Sequence, residues 1–372
     1  MVLDHWIAEQ RLIVCVGSGG VGKTTTAAAI ALYAAKQGRK TVVLTIDPAK
    51  RLANALGLES FGNEAHQVEV PNCSGELWAM MLDAQSTWDA LIDRLAKDPE
   101  VKRRILSNRI YRYIANSLAG SQEYMATEKL HDIARSDAYD LIVLDTPPAK
   151  NALDFLESPG RLIHFFDERI LKWFLSPYRR KGISRRLMMG PTAVVWRLLG
   201  SIFGRDFLDD LALFFQDFRG LYEGFVLRHE AVMALLRSPQ SSFVTVFAPN
   251  ESSAEVASFF VDELQRRNLP RAGIIANQRH YCKGTSHDAK AALGQVVQEL
   301  QAEPSTQSRV LARLGMAHRR LHYLWRSEEK ICEQLRAQSS PDAFFISVPK
   351  FEEDIHELGA LENVSKFIFD KQ

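Results

Sequence analysis

The chain has 372 residues, 46% of them apolar and 24% charged, and its 46 basic and 45 acidic side chains leave a net charge of +1. This balance is typical of a globular protein and argues against a nucleic-acid coat or an acidic tail. The four cysteines are widely separated, so their spacing indicates neither a disulfide framework nor a four-cysteine zinc site.

No targeting or membrane-spanning segment is visible in the sequence. The first residues lack a basic region followed by an apolar run, and no uncharged apolar stretch is long enough to span a bilayer. We therefore expect a cytoplasmic protein with reduced thiols and no nucleic-acid partner.

Short apolar runs alternate with longer helical patterns along the chain. This alternation predicts an α/β fold, a doubly wound and mostly parallel sheet of about 7–8 strands with crossover helices. The predicted strands are Arg11–Val16, Lys40–Ile46, Leu77–Leu82, Tyr139–Leu144, Phe243–Phe247, Ala272–Ala276 and Ala343–Val348. The predicted helices are Lys23–Gln37, Gln85–Ala96, Gln122–Arg135, Glu251–Arg267 and much of 285–338.

The first predicted strand runs into a glycine-rich loop, Gly-Ser-Gly-Gly-Val-Gly-Lys-Thr-Thr at 17–25, which opens the first long helix. Strand, loop and helix in this order are the context of a phosphate-binding loop, because glycines let backbone N–H groups wrap phosphates at a helix N-terminus. Lys23 should reach the β- and γ-phosphates, Thr24 should ligate Mg²⁺, and Thr25 should bond the α-phosphate. The predicted phosphate contacts are Gly19, Gly20, Val21, Gly22, Lys23, Thr24 and Thr25.

Two further predicted strands end in aspartates, Asp47 and Asp145, at the sheet edge where ligands bind in open α/β folds. A carboxylate at Asp47 can orient or deprotonate the attacking water, although an Asp before Pro is also a common helix start. Asp145 is placed to position Mg²⁺, often through a water. A strand-ending Asp is more often a turn former, but together with the loop the Mg²⁺ role is favoured, and the set predicts a Mg-dependent ATPase.

A basic and apolar segment follows. Between Arg161 and Arg205 the sequence has ten Lys or Arg and two acidic residues, interleaved with large apolar side chains. We expect one domain over 1–372 that carries a helical insertion at 157–237, because the nucleotide-site signals lie on both sides of this segment. This mixture suits a surface that contacts an anionic membrane or an acidic partner, and its candidate apolar residues are Trp173, Phe174, Leu187, Met188, Met189 and Trp196. The alternative is that these side chains pack into the insertion's own core, as such stripes most often do.

These segments together resemble the arsenite-pump and tail-anchored-protein-targeting ATPases, the ArsA/GET family. The resemblance covers the chain nearly end to end. It rests on the loop at 17–25, Asp47-Pro48-Ala49, Leu52, Leu56-Gly57, Asp145-Thr146-Pro147-Pro148, the run 152–156, Phe243–Val246, Pro249, 274–278 and Val348-Pro349.

By that resemblance, Asp47 lies in switch I, and switch II begins at Asp145 and includes Thr146, Pro147 and Pro148. The family also implies that Asn277 hydrogen-bonds adenine, with Pro349 and Phe351 lining the base pocket. From the residues alone, an Asn that ends a strand is more often a turn residue.

The family further implies a face-to-face dimer, either of identical chains or with a paralogue, that ATP closes and hydrolysis opens. In the targeting branch, the helical insertion shields an apolar client, so the resemblance implies that the six apolar residues named above are a candidate client surface. Glu123, Tyr124 and Met125 are further candidates to face such a client.

Two departures from the family pattern bear on activity. The lysine that family members carry at the second loop position is Ser18 here. Either another residue supplies the cross-dimer charge, with Arg51 or Lys50 as candidates, or hydrolysis is slow. The Cys-x-x-Cys pair of the targeting branch and the cysteine cluster of the arsenite pumps are both absent from the sequence, so we predict no zinc and no arsenite activation.

The leading hypothesis is a dimeric Mg-dependent ATPase that gates binding of a hydrophobic or membrane-associated partner, with peripheral membrane contact. Two alternatives are a scaffold that binds ATP but barely hydrolyses it, which Ser18 favours, and a metabolic P-loop transferase. The large basic and apolar insertion argues against the transferase, since a small substrate does not require it.

Overall fold

The computed structural model describes residues 3–47, 51–58, 62–117, 121–147, 201, 204–282, 304–352, 355 and 357–370. The described part contains eight strands: β1 Leu12–Val16, β2 Lys40–Thr45, β3 His66–Val68, β4 Glu76–Met81, β5 Leu141–Asp145, β6 Ser241–Phe247, β7 Arg271–Arg279 and β8 Phe344–Pro349. They form one sheet in the order β3-β4-β2-β5-β1-β6-β7-β8.

Every neighbouring pair in the sheet is parallel except β3 and β4, which are antiparallel. Strands β1, β5 and β6 are buried along their whole length, as expected for strands covered by helices on both faces. The predicted doubly wound α/β fold is confirmed, and each predicted strand is found within a few residues of its expected bounds.

Helices cover both faces of the sheet, and side-chain caps begin several of them. Asp83 accepts a hydrogen bond from the Ser86 amide at 2.7 Å, and Asn250 does the same for Ser253 at 3.0 Å. The described helices are α1 Leu3–Glu9, α2 Lys23–Lys36, α3 Arg51–Ala55, α4 Ala84–Leu95, α5 Pro99–Ser107, α6 Arg109–Ser117, α7 Ser121–Ser136, α8 Arg205–Phe218, α9 Tyr222–Arg237, α10 Glu251–Arg266, α11 Pro304–Gln338 and α12 Leu358–Phe369.

On one face, the alanine-rich α2 lies against the sheet with most of its side chains buried. Small side chains let the helix approach β1, β2 and β5 closely, which fixes where its N-terminus stands relative to the strand ends. Helix α12 packs on α2, and the rings of Tyr33 and Phe369 stack with their centroids 3.8 Å apart. The helix that follows the glycine-rich loop is therefore clamped between the sheet and α12.

The other face carries an aromatic core that joins α4 and α7 to the last part of the predicted insertion. The ring of Trp88 in α4 stacks on that of Tyr124 in α7, with 5.7 Å between the ring centroids. The ring centroid of Phe225 in α9 lies 5.8 Å from that of Tyr124 and 5.0 Å from that of Phe218 in α8. The described end of the insertion, 204–237, thus packs against α4 to α7. The position of its beginning lies outside the described residues, so the domain bounds stay a prediction.

This packing corrects one expectation. Tyr124 and Met125 are 1% and 0% exposed, and Glu123 is buried as well, so none of the three presents its side chain to a client in this state. They are buried because α7 lies between α4 and α9 and has no free face at this turn.

A partly buried ion-pair network reinforces the same junction. The Arg228 guanidinium of α9 donates to the carboxylates of Glu128 and Asp132 on α7, and Asp132 also pairs with Arg94 of α4. Burial alone would raise the pKa of Asp132, but hydrogen bonds from His131, Arg94 and Arg228 outweigh it and hold that pKa well below its usual range. These charges therefore tie three helices together through one carboxylate.

Among the helices in the described ranges, none is both long and apolar enough to cross a lipid bilayer.

Candidate functional site

The glycine-rich loop joins the end of β1 to the start of α2, and two of its glycines have no room for a side chain. A Cβ on Gly17, whose φ is +155°, would stand 2.0 Å from the Val246 carbonyl oxygen. At Gly22, with φ of +86°, a Cβ would stand 2.2 Å from the Asn277 amide nitrogen. Gly17 requires glycine because the backbone of β6 leaves no room for a Cβ, and Gly22 requires it because its φ is strained for any other residue.

Strand β7 holds the loop from its other side. Asn277 Nδ2 donates to the Val21 carbonyl at 2.8 Å, and Gln278 Nε2 donates to the Gly20 carbonyl at 3.3 Å. The pairing of β7 with β8 is irregular between Ala276 and Arg279, and Gln278 has a positive φ of 58°. This break in the ladder turns both amides toward the loop.

Asp145, at the end of β5, lies at the centre of a buried polar cluster. Its Oδ2 accepts hydrogen bonds from Thr24 Oγ1 at 2.7 Å and Thr45 Oγ1 at 2.9 Å. Its Oδ1 is buried and has no hydrogen-bond partner among the residues that the structure describes. Burial raises the pKa of Asp145 to about 6, against the opposing hydrogen bonds and the charge of Lys23.

The residues present fit a bound Mg²⁺. An orphaned carboxylate oxygen and a threonine hydroxyl within hydrogen-bond reach of the same carboxylate are hard oxygen donors, which this cation prefers. Asp145 and Thr24 would hold it, the pair that the sequence predicts.

Lys23 is 7% exposed at the first position of α2. Its Nζ donates to the Ser18 carbonyl at 2.9 Å, so the side chain folds back over the loop. Burial lowers the pKa of Lys23, and the charges of Asp145 and Asp47 oppose that effect. The ammonium group therefore stands within the loop, where phosphate oxygens would offer it a stronger partner than one carbonyl.

Asp47 follows β2 and opens onto a cleft of about 290 Å³ beside the loop. Its backbone N–H donates to Thr45 Oγ1 at 3.3 Å, and its carboxylate is 3.6 Å from the Arg51 guanidinium. The cleft is lined by Gly20, Gly22, Lys23, Thr24, Thr25, Asp47, Arg51, Asn54, Ala55, Thr146, Gln278 and Ile355. The structure thus brings Asp47, the loop and the residue after Asp145 around one cavity.

Of the predicted switch II and base-pocket residues, Thr146 lines the cleft and Asn277 bonds to the loop. Thr146 Oγ1 donates to the Cys15 carbonyl of β1 at 2.7 Å, Pro147 follows it, and Pro148 lies outside the described residues. Pro349 ends β8, and the ring of Phe351 packs edge-on against Phe367 at 5.8 Å. The adenine roles of Asn277, Pro349 and Phe351 stay predictions.

Ser18 is engaged within its own chain, since its Oγ lies 2.9 Å from Ser253 Oγ at the start of α10. Sequence reasoning missed this partner, as it missed Thr45 and Gln278. A hydrophobic pattern carries no signal for contacts between residues that lie about 100 to 260 positions apart.

Other predicted features cannot be placed. The candidate client surface, Trp173, Phe174, Leu187, Met188, Met189 and Trp196, lies outside the described residues. Within the described ranges, no group of three or more His, Cys, Asp and Glu side chains is arranged to hold a metal ion. The expected absence of zinc stays a prediction.

Comparison with known proteins gives concordant matches. A family model described as anion-transporting ATPase matches residues 10–301. The ATPase GET3 of Malassezia globosa is 31% identical over 161 residues, 43% of this chain and 45% of that protein. The ATPase get3 of Aspergillus terreus is 34% identical over 151 residues, 40% of this chain and 43% of that protein.

An ATPase ASNA1 homolog of Entamoeba dispar is 25% identical over 310 residues, 79% of this chain and 86% of that protein. The chain spans less than half the length of the two fungal relatives, whereas it spans most of the Entamoeba protein. Because the family model matches well over half of the residues and includes the loop and both aspartates, this chain belongs to the anion-transporting ATPase family.

Proposed function

We propose that the protein is a Mg-dependent ATPase that works as a nucleotide-gated dimeric switch. The observation that carries the proposal is the cluster in which Asp145 Oδ2 accepts from Thr24 and Thr45 while its Oδ1 stays free of protein donors. Lys23 and Asp47 border the same cleft, so groups for phosphate, cation and water converge at one edge of the sheet.

Nucleotide binding would begin at the loop. Backbone N–H groups at the start of α2, together with the positive end of that helix, favour phosphate oxygens. Lys23 would exchange the Ser18 carbonyl for the β- and γ-phosphates, a short movement because its ammonium group already lies inside the loop.

Thr24 and Asp145 would hold the cation, and when bound Mg²⁺ would neutralise charge on the β- and γ-phosphate oxygens. Asp145 must be ionised for that role. A pKa of about 6 keeps it mostly ionised at neutral pH in the nucleotide-free protein, and a nearby cation would favour the carboxylate further.

Asp47 would orient the attacking water and accept its proton. Asp47 lines the same cleft as Lys23. Its backbone N–H is held by the Thr45 hydroxyl, and its carboxylate lies beside the Arg51 guanidinium. Arg51 would also supply positive charge to the transferred phosphoryl group. That charge would replace the one lost because position 18 is a serine and not the family's lysine.

The switch is supported by the connection of Thr146 to the loop strand. Thr146 comes directly after the candidate cation ligand, borders the cleft and bonds to the Cys15 carbonyl of β1. The same segment leads into the insertion, so occupancy of the γ-phosphate position could be passed to it. We propose that the protein forms a homodimer or a dimer with a paralogue. Its client would be hydrophobic or membrane-associated. The protein would be cytoplasmic and would act at the membrane surface.

A weakly hydrolysing scaffold is the second candidate. The hydrogen bond between Ser18 and Ser253 favours it, because a short hydroxyl held within its own chain cannot reach a partner's phosphates. A positive charge supplied in trans can be worth about 10³ to 10⁵ in rate, so its loss would leave binding intact and slow the chemistry.

The test is single-turnover hydrolysis of bound ATP by the wild type and by Asp47→Asn. An ATPase should lose at least about a hundredfold in rate in Asp47→Asn, while retaining nucleotide binding. Asp342→Asn is the matched control, since Asp342 is exposed before β8 and away from the cleft residues. Equal inactivity of wild type and Asp47→Asn, with ATP bound by both, would favour the scaffold.

A further inference from the structure

Helix α11 carries an unusual concentration of positive charge in its first two thirds. Between Pro304 and Ser327 the sequence contains Arg309, Arg313, Arg319, Arg320 and Arg326 and no acidic residue. The acids of this helix, Glu328, Glu329 and Glu333, begin only in its last third. Lys330 and Arg336 in the last third are outnumbered by these acids, so the net positive charge lies in the first two thirds of the helix.

The opposite face of this helix is the one that contacts the body of the protein. Glu328 accepts from the His280 backbone N–H at 2.8 Å and lies 2.6 Å from His280 Nδ1. Two to three turns earlier, His318 Nε2 is 3.6 Å from the Cys282 sulfur. These contacts fix the rotation of α11 about its axis.

With the rotation fixed, Met316 and Tyr323 project outward. They are separated by seven residues, or two turns, so they lie on one stripe, and they are 59% and 75% exposed. Helical spacing places Arg313 and Arg320 along one side of that stripe and Arg319 and Arg326 along the other. All four arginines are exposed.

The four flanking arginines form no ion pair with any residue in the described ranges. Elsewhere on the described surface, arginines such as Arg103, Arg104 and Arg266 are each paired with a carboxylate. A stripe of uncompensated like charges destabilises its own helix, and an anionic surface would remove that cost.

We propose that this face, defined as Arg313, Met316, Arg319, Arg320, Tyr323 and Arg326, binds the headgroup layer of an anionic lipid membrane. Two large apolar side chains on the centre line, with guanidinium groups on both sides, match a helix that lies in the plane of a membrane interface. An acidic protein or a nucleic acid would be met by the arginines alone and would leave Met316 and Tyr323 without a reason for their exposure. This surface is separate from the nucleotide cleft, and the inference does not depend on ATP hydrolysis.

The test is flotation of the full chain with phosphatidylcholine vesicles that contain, or lack, about one third phosphatidylglycerol. Binding is expected only with the anionic lipid and should weaken as salt rises. In the double variant Arg319→Glu/Arg320→Glu, the affinity for anionic vesicles should fall about twentyfold or more. Each basic residue near such a surface raises that affinity about fivefold. Met316→Ser/Tyr323→Ser, which keeps every charge, should bind several-fold more weakly.

Arg103→Glu/Arg266→Glu is the matched control, with the same change in net charge at exposed positions on other helices. It should float like the wild type, and circular dichroism should show that all variants are folded. Three results would overturn the proposal: no binding to anionic vesicles, equal losses in both charge-reversed variants, or binding to a single-stranded oligonucleotide alone.

Discussion

Asn277 and Val21 are joined by a hydrogen bond of 2.8 Å, although they lie 256 positions apart in the chain. Asn277 is 9% exposed and its amide bonds to the backbone of the phosphate loop, so it acts on loop geometry. That contact gives a way to separate a positioning role from the adenine-reading role that the family resemblance predicts.

Asn277→Ala should weaken ATP and GTP binding by a similar factor, about five- to tenfold, because the Val21 carbonyl loses its donor and the loop loses order. If Asn277 instead reads adenine, the variant should lose affinity for ATP while its affinity for GTP stays unchanged. Equilibrium titration with both fluorescent nucleotides distinguishes the two. Gln278→Ala, which removes the neighbouring bond to Gly20, is the comparison variant.

Asp145 should make nucleotide binding depend on pH. Its pKa of about 6 means that below that pH the folded, nucleotide-free protein holds a proton where the cation would bind. Affinity for Mg²⁺-nucleotide should therefore rise by up to tenfold per pH unit up to about pH 6 and then level off. Calorimetric titration across pH 5–8 measures this. The pH profile of Asp145→Asn reports the nucleotide's own protonation. If wild type and Asp145→Asn have identical profiles, Asp145 is not the group that titrates.

The same carboxylate should affect stability with the opposite sign. Its folded pKa lies above its unfolded value near 3.9, so the folded state binds more protons, and stability falls as pH rises from about 4 to 6. Asp145→Asn should raise the unfolding free energy of the nucleotide-free protein at pH 8 by about 1–3 kcal/mol, because no buried charge remains. Thermal unfolding at pH 4 and pH 8 tests this, with the gain present only at pH 8.

Ser18→Lys should speed hydrolysis if the protein forms the proposed dimer. The substitution restores a positive charge at the second loop position and breaks the contact with Ser253. We expect a rise of at least about tenfold in single-turnover rate. Ser253→Ala breaks the same contact without adding charge and should leave the rate near that of the wild type. A gain in both variants would assign the effect to loop release.

Arg228→Ala should be strongly destabilising. Its guanidinium is 11% exposed and serves two carboxylates on α7, so truncation leaves Glu128, at 2% exposure, without its counter-charge. The expected loss in unfolding free energy is about 3 kcal/mol. Arg266→Ala is the control, because that guanidinium is 68% exposed beside Glu263 and its removal should cost less than about 1 kcal/mol. Urea unfolding measures both.

The sheet could be predicted because its central strands are short, apolar and separated by helical patterns, so local periodicity and burial agree. Strand β3 was missed since it has three residues, of which His66 and Gln67 are exposed. Helices α5 and α6 were missed because they are short.

The site was predictable only where its chemistry is local in sequence. Gly22, Lys23 and Thr24 form one motif, and Asp145 ends a strand that periodicity identifies. Thr45 and Gln278 became visible only when the sheet brought distant strand ends together, since each lies in an ordinary strand sequence. Their contacts with Asp145 and Gly20 follow from strand order, which a single sequence does not encode locally.

The position of β1 at the centre of the sheet has a consequence for biosynthesis. Leu12 pairs with Ile142 on one side and with Ser241 on the other. During translation at about 5–20 residues per second, roughly ten to fifty seconds would pass between synthesis of β1 and synthesis of its second neighbour, β6. Over that interval a wholly apolar strand has an open edge. The nascent chain is therefore most vulnerable to aggregation before β6 emerges, and slowing of synthesis within residues 150–240 should lower the yield of folded protein.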